Sequence, residues 1–275
     1  MSRVLLLHPG AMGTSIGAAM KKAGHDVFWF ARGRSDQSAV RAREHGFKAV
    51  DGSLPTNLDY VVSVCPPDAA LTVAKQIVQT DFRGTYIDGN AVSPSTMAAI
   101  GGLFGERLVD GGIVGPPAWR EGTTRFFLSG TRAGDAELLF RGSLVETVQC
   151  GADVGAASAL KMAYAGYTKG NSALLMGIRA LAASYGVEAP LLEEWRRSQP
   201  EVEKRSEGAA RGSGPKAWRF AGEMREIATT FQHAGLPDGF HIGAADLYER
   251  LGELKDRQDV TIEDVIRSLV REGTP

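Results

Sequence analysis

Through its first 150 residues the chain alternates short β-branched and aromatic runs with helical patterns, and after residue 151 the strands stop. The runs are RVLLLH (3–8), DVFWFA (26–31), FKAV (47–50), DYVVSVC (59–65), TYID (85–88), LVDGGIV (108–114), RFFLSG (125–130) and LVETVQC (144–150). Helical patterns fill 13–23, 35–45 and 68–79, the first two closing at Gly24 and Gly46. Strands that alternate with helices pair in parallel, because a crossover long enough to hold a helix returns the chain to the same end of the sheet. The alternation predicts an α/β fold with a doubly wound, mostly parallel sheet in residues 1–150. Residues 151–275 read as a second, all-helical domain. It begins with a long helix capped by Asp153 and running to about Tyr185, followed by helices over 190–210, 214–233, 240–255 and 261–272. The segment GAARGSGPKAW (208–218) reads as the most flexible.

The bulk properties of the 275 residues exclude several classes. A hydrophobic content of 43% and a charged content of 23% are ordinary for a globular protein. The net charge of −1 provides no basic field for nucleic acid or a membrane surface. Cys65 and Cys150, the two cysteines, form neither a disulfide framework nor a metal-ligand pattern. Val4–Leu7 is too short for a signal peptide, and no apolar stretch reaches about 18 residues. The expectation is a cytoplasmic protein without metal, nucleic-acid or membrane partners.

Residues 8–17, HPGAMGTSIG, join the first strand to the first helix. In a Rossmann unit the dinucleotide-binding turn stands at this point with the spacing G-x-G-x-x-G, of which this stretch keeps Gly10 and Gly13. Gly10 lets the backbone approach a pyrophosphate, and Gly13 opens a helix whose N–H groups and dipole attract the anion. His8 takes the place of the first glycine. Gly10, Ala11, Met12 and Gly13 are thus the candidate cofactor turn of a Rossmann domain. At the end of the second strand, where a carboxylate would accept the ribose 2′-hydroxyl of NAD, the chain has Arg32, Arg34 and Ser35. Guanidinium groups bind phosphate in bidentate fashion, so this composition points to the 2′-phosphate of NADP(H).

Four stretches resemble the β-hydroxyacid dehydrogenases and the NAD-binding family of 6-phosphogluconate dehydrogenase, over nearly the whole chain. GAMG (10–13) is similar to their G-x-M-G turn. VSVCPPDAA (62–70) resembles the end of the fourth strand, which implies that Cys65 and Pro66 lie by the nicotinamide. IDGNAVSPST (87–96) resembles the D-x-S-T-x-x-P segment and places Asn90 by cofactor or substrate. GAASALKMAYAG (155–166) resembles the G-x-G-x-x-x-K helix start, whose lysine is catalytic, and Lys161 holds that position. The segment 219–231 is similar to a short, poorly characterised branch. Chain length is too small for the large helical domain of 6-phosphogluconate dehydrogenase itself. The substrate loop D-A-P-V-S-G-G becomes DGGIVGP (110–116), so Val114 and Gly115 line the expected substrate site while Val114 and Pro116 remove two donors that bind a carboxylate. The asparagine four residues after the lysine is Ala165. The resemblance also implies a homodimer through the helical domains.

On a helix, Lys161 shares a face with Tyr164, Ala165, Thr168 and Ser172, which adds Tyr164 and Thr168 to the substrate-binding candidates. A protonated lysine suits carbonyl reduction, because hydride arriving at carbon builds negative charge on oxygen. An iminium substrate is already cationic and an ammonium repels it. The sequence therefore reads as an NADP(H)-dependent reductase of a small carbonyl compound, or the reverse alcohol or hydroxyacid dehydrogenase, with Lys161 as general acid/base. The alternatives are an imine reductase using Tyr164 as donor, and a non-catalytic NADP(H)-binding redox sensor. Pro117 and Trp119 read as an apolar wall, Arg219 and Glu223 as an i, i+4 helix pair, and His233 and His241 as structural histidines.

Overall fold

The structure is a computed structural model that describes residues 1–31, 33–50 and 53–270. The chain divides into two compact units, Met1–Met162 and Ala163–Pro275.

The first unit is built on one eight-stranded sheet. Its strands are β1 (Arg3–Leu7), β2 (Asp26–Phe30), β3 (Lys48–Val50), β4 (Tyr60–Ser63), β5 (Thr85–Asp88), β6 (Leu108–Val114), β7 (Thr124–Ser129) and β8 (Val145–Gln149). They lie in the order β3-β2-β1-β4-β5-β6-β7-β8, and only the β6–β7 pairing is antiparallel. After β1 the chain builds outward through β2 and β3, then returns to place β4 on the other side of β1. That reversal leaves a crevice at the carboxyl ends of β1 and β4, where ligands of open α/β sheets bind.

Alternation along the strands feeds two cores. Val4, Leu6 and Val62 pack on one face with Ile16 and Met20 of α1 (Ala11–Lys22) and Ala42 of α2 (Asp36–Glu44). Leu5, Leu7, Val61 and Tyr86 pack on the other with Ala70 and Ala74 of α3 (Pro67–Val78) and Met97 and Ile100 of α4 (Pro94–Phe104). A sheet covered on both faces needs apolar residues at successive positions, which is what the run VLLL supplies. The expectation of a doubly wound, mostly parallel sheet followed by helices is met in this structure.

Two helices of this unit fall where the sequence reading placed none. Ser93 caps α4 by accepting from the Thr96 amide, and Pro94 opens its first turn. The short α5 (Ala133–Glu137) precedes β8.

A single 29-residue helix, α6 (Ala156–Ser184), starts in the first unit and continues in the second. Asp153 does not cap it. The buried Asp110 of β6 takes that role, accepting the amides of Gly155 (2.9 Å) and Ser158 (3.0 Å) on Oδ2. The first turns of α6 belong with the sheet, in the unit Met1–Met162.

In the second unit, α7 (Glu188–Ser198), α8 (Val202–Ser213), α9 (Ala217–His233), α10 (Gly239–Arg250) and α11 (Ile262–Leu269) follow. The single helix expected over 190–210 is two, because Pro200 has no N–H to continue the ladder. The segment 208–218, read as flexible, is helical: Ala209, Ala210, Ser213 and Ala217 are buried, and a 3₁₀ turn opened by Pro215 joins α8 to α9. Glu223 does not pair with Arg219. It bonds Lys169 of α6, whose ammonium also lies 4.5 Å from the Phe220 ring centre. Tyr248 anchors α10 by donating to the Lys169 carbonyl (2.8 Å). His241 is buried between Phe231 and Phe240. Among the described residues no helix is long and apolar enough to cross a membrane, and no group of His, Cys, Asp and Glu could hold a metal ion.

Candidate active site

The turn from β1 to α1 joins strand to helix at the sheet's switch point. His8 adopts φ +67°, the left-handed conformation that a glycine normally takes at the first fingerprint position. A Cβ on Gly13 would overlap the His8 carbonyl oxygen, so only glycine lets α1 start this close to the strand. Gly10 faces open space, and no side chain caps α1. The first-turn N–H groups, including those of Ala11 and Met12, therefore point from an uncapped helix start at the sheet's switch point. These observations fit a bound pyrophosphate.

The His8 imidazole is half-buried, and its Nδ1 has no hydrogen-bond partner. Burial, with the Arg34 charge adding to it, lowers its pKa to about 4, so the ring is neutral at pH 7. Arg34 follows β2 and is near enough to act electrostatically on both His8 and Cys65. Arg32 lies outside the described residues. Ser35 spends its hydroxyl on the N-cap of α2, accepting from the Ser38 amide. A cation the sequence reading missed is Arg41. Its Nε donates to the Pro9 carbonyl (3.2 Å) and its Nη2 to Ser38 Oγ (3.4 Å). The spacing Ser35, Ser38, Arg41 on one helix face was the available signal.

The ends of β4 and β5 are joined by a buried polar cluster. Asn90 accepts from the Cys65 amide (2.5 Å), and its Nδ2 donates to Ser63 Oγ (3.1 Å) and Asp88 Oδ2 (2.9 Å). The Asn90 amide N–H donates to Asp88 Oδ1 (3.0 Å). Asn90, expected to touch cofactor or substrate, has these side-chain bonds inside the fold. Burial pushes the Cys65 thiol up to about 11, which keeps it a neutral thiol. Pro66 is the N-cap of α3. Cys65 and Pro66 thus sit at the carboxyl edge beside the β1 turn.

Lys161 is placed by β6. Asp110 lies in register between Asp88 of β5 and Ser129 of β7. Beyond the two amides of α6, its carboxylate accepts from Ser158 Oγ (2.6 Å) and Ser129 Oγ (2.9 Å). Ser129 Oγ in turn accepts from the Ala157 amide (3.1 Å). Two residues along β6, Gly112 lets the helix lie directly on the strand: a Cβ there would be 2.7 Å from the Ala157 carbonyl oxygen and 3.0 Å from Lys161 Cβ. Lys161 therefore stands over the carboxyl end of β6, one turn past the bonded Ser158. Val114 ends β6 and is buried, and Gly115 turns at φ +115° against Thr123. Thr124 Oγ1 donates to the Pro116 carbonyl (2.6 Å), so this loop is tied down internally. Trp119 stacks on His45 (5.0 Å between ring centres) with half its surface exposed. Tyr164 and Thr168 lie farther along α6, in the second unit. Tyr164 is half exposed, and Thr168 Oγ1 bonds back to the Tyr164 carbonyl (3.1 Å).

Residues 182–251 match a family described as a domain of unknown function, DUF1932. A 28.5 kDa protein encoded in a 7S RNA 5′ region of Methanothermus fervidus, described as uncharacterized, is 33% identical over 166 residues. That match spans 59% of this chain and 64% of the relative's length, under two thirds of it. A solved protein of unknown function, described as structurally similar to 3-hydroxyacid dehydrogenases, is 26% identical with a TM-score of 0.64, covering 92% of this chain and 98% of its own. The 3-hydroxyisobutyrate dehydrogenase of Mycobacterium tuberculosis, solved with L-serine, has a TM-score of 0.71 at 18% identity, covering 98% and 100%. A reductive aminase from Aspergillus terreus, solved with NADPH, shares the fold at 18% identity and a TM-score of 0.56, covering 97% and 99%. The chain thus has the fold of these solved structures, and its residues 182–251 carry the DUF1932 match.

Proposed function

We propose that the protein is an NADP(H)-dependent oxidoreductase that reduces a small carbonyl compound, or oxidises the corresponding alcohol or hydroxyacid. The observation that carries this reading is the seating of Lys161. A buried carboxylate, two serines and a strand glycine fix its helix start over the carboxyl end of β6, on the same sheet edge as the glycine turn. Four bonds to one buried group are more than an ordinary surface lysine's helix requires.

The open start of α1 and Gly10 would hold the pyrophosphate, and Arg34 and Arg41 would meet the 2′-phosphate, with Arg32 as a further expected contact. When bound, the nicotinamide supplies the hydride. The chain's own residues do the rest. The Lys161 ammonium hydrogen-bonds the substrate oxygen, favours the negative charge that grows there, and then gives up a proton; in the reverse direction its neutral amine takes that proton. Cys65 stays protonated and unreactive. With Val114, Pro116 and Ala165 in place of family donors, the substrate oxygen has few partners besides Lys161.

Cofactor oxidation with aldehydes, keto acids and cyclic imines, in native protein and Lys161→Met, tests the proposal. The methionine keeps the packing of the stem and removes the charge. Carbonyl turnover should fall by about 10²-fold or more while NADPH affinity stays within a few-fold. Surviving carbonyl turnover would remove Lys161 as the acid, and turnover of imines alone would shift the assignment to an imine reductase.

A further inference from the structure

A fully buried carboxyl, Asp88, ends β5 under the crevice, and the lysine chemistry makes no use of it. Its environment is unusual for an acid. Both oxygens accept from one residue, Asn90, through the amide N–H and Nδ2. The same Asn90 side chain receives the Cys65 amide, 25 positions earlier in the chain. Asp88, Asn90 and Cys65 thus form a relay from the interior to the last peptide of the β4 edge. Cys65 precedes Pro66, the N-cap of α3, so this peptide also sets where that helix begins.

The groups around Asp88 are few. Ser63 of β4 is its register partner and bonds Asn90. Tyr86, two residues back on β5, is fully buried, and its hydroxyl lies toward Ser63 and Asp88 with no hydrogen bond of standard geometry. Asp110 of β6 is the neighbouring carboxylate, and it holds the start of α6, where Lys161 lies over Gly112. At the end of β4, Cys65 is a neutral thiol, with Asp68 of α3 and Arg34 beyond it. The sequence of α4, PSTMAAIGGLF, contains no titratable residue. Among these groups the Asp110 carboxylate accepts four hydrogen bonds, whereas Asp88 accepts two. Burial first, and the charge of Asp110 with it, raise the Asp88 pKa to about 7.

We propose that Asp88 is a positioning residue that, through Asn90, holds the Cys65 peptide at the cofactor-facing edge in a proton-dependent way. The ionised carboxylate accepts both Asn90 bonds. On protonation one oxygen becomes a donor and turns toward Ser63 or the vacant Tyr86 hydroxyl, one Asn90 bond is lost, and the grip on Cys65 loosens. The positioning stands on the hydrogen bonds alone; its effect on a nucleotide rests on the function proposed above.

Two readouts separate these layers. In the cofactor-free protein, the ¹⁵N–¹H resonance of Cys65 should titrate with a midpoint near pH 7, and that step should vanish in Asp88→Asn. A Cys65 amide unmoved between pH 5.5 and 8.5 overturns the proposal without any variant having to fold. NADPH and NADH, followed by fluorescence, should each bind at least threefold more weakly at pH 6 than at pH 8, with a flat profile in Asp88→Asn. NADH lacks the 2′-phosphate, so its profile excludes titration of that group. If Cys65 titrates as stated but neither nucleotide binds at any pH, the cofactor reading has failed and the positioning role stands. If both bind with a pH profile unchanged by Asp88→Asn, the inference about Asp88 is refuted while the cofactor site is upheld.

Discussion

Gly112→Ala adds one methyl group to β6 at the point where α6 rests on it. The new carbon would be 2.7 Å from the Ala157 carbonyl oxygen and 3.0 Å from Lys161 Cβ, where comfortable contacts are about 3.5 Å. The helix start would have to withdraw by roughly half an ångström or more. It is held by bonds of 2.6–3.0 Å from Asp110, which a shift of that size stretches to the edge of useful geometry. Overpacking costs about 1–3 kcal/mol, and weakening charge-assisted bonds adds about 1 kcal/mol more. A loss of roughly 2–4 kcal/mol lowers Tm by about 2–4 °C per kcal/mol in a unit of this size. Gly102→Ala is the control. Gly102 is exposed in the last turn of α4 with nothing within 4 Å of its absent Cβ, so the same methyl should stabilise by about 0.5 kcal/mol or more. Scanning calorimetry of the two variants should give shifts of opposite sign, and only Gly112→Ala should reduce turnover at unchanged cofactor affinity. If Gly112→Ala melts as high as Gly102→Ala, α6 is not seated as described and the argument for Lys161 loses its geometric basis.

Gly13→Ala drives a methyl group into the His8 carbonyl, a backbone atom that cannot turn aside, and NADPH binding by calorimetry should fall at least tenfold. The folded pKa of Asp88, about 7 against 3.8 for the free acid, means the native state holds a proton that the unfolded chain has released. Its stabilisation is full below pH 4 and is lost as pH rises through 7, roughly 4 kcal/mol in all. His8 works in the opposite sense, its lowered pKa removing stability as pH falls from 6.5 through 4. Urea melts of native protein and Asp88→Asn across pH 4–8 therefore isolate the Asp88 contribution by difference, and parallel curves would contradict the assignment. Along α6, Tyr164, Tyr167, Leu174 and Leu181 are exposed at heptad-like spacing, the face through which the expected homodimer would form. Leu174→Glu with Leu181→Glu should yield monomers in sedimentation velocity, and a native protein already monomeric at micromolar concentration would dismiss the dimer.

The strands were legible because each carries its own signal: VLLL, DVFWF and LVDGGIV are β-rich and bounded by glycine, proline or a helix start. Helix α4 was missed because PSTMAAIGGLF has two adjacent glycines and no polar face, so its register comes from the Ser93 cap and from packing of Met97 and Ile100 on the sheet. The break at Pro200 was readable from proline chemistry alone, and the long helical pattern concealed it. For the site, sequence placed Gly10, Gly13 and Lys161 on the elements where they are found. It could not show that Asn90 spends its amide on Cys65 and Asp88, that Ser35 caps α2, or that Arg41 reaches Pro9, because each depends on pairing between segments remote in the chain. In the sequence Asp110 stands only as the start of the loop DGGIVGP (110–116). Its role as cap of α6 crosses 45 residues, a distance at which no local pattern survives.

That same distance sets the order of events when the protein folds. Helix α6 can form locally, but its first turn is fastened only after β6, β7 and β8 have paired and brought Asp110 and Ser129 to face it. Contacts of such long sequence separation close late. The first amides of an ordinary helix exchange with solvent quickly because nothing holds them. Here the Gly155 and Ser158 amides are bound to a buried carboxylate, so their hydrogen exchange waits on opening of the sheet itself. The slowest-exchanging protons at the start of this helix thus measure the stability of strand β6, beyond β7 and β8 in the chain.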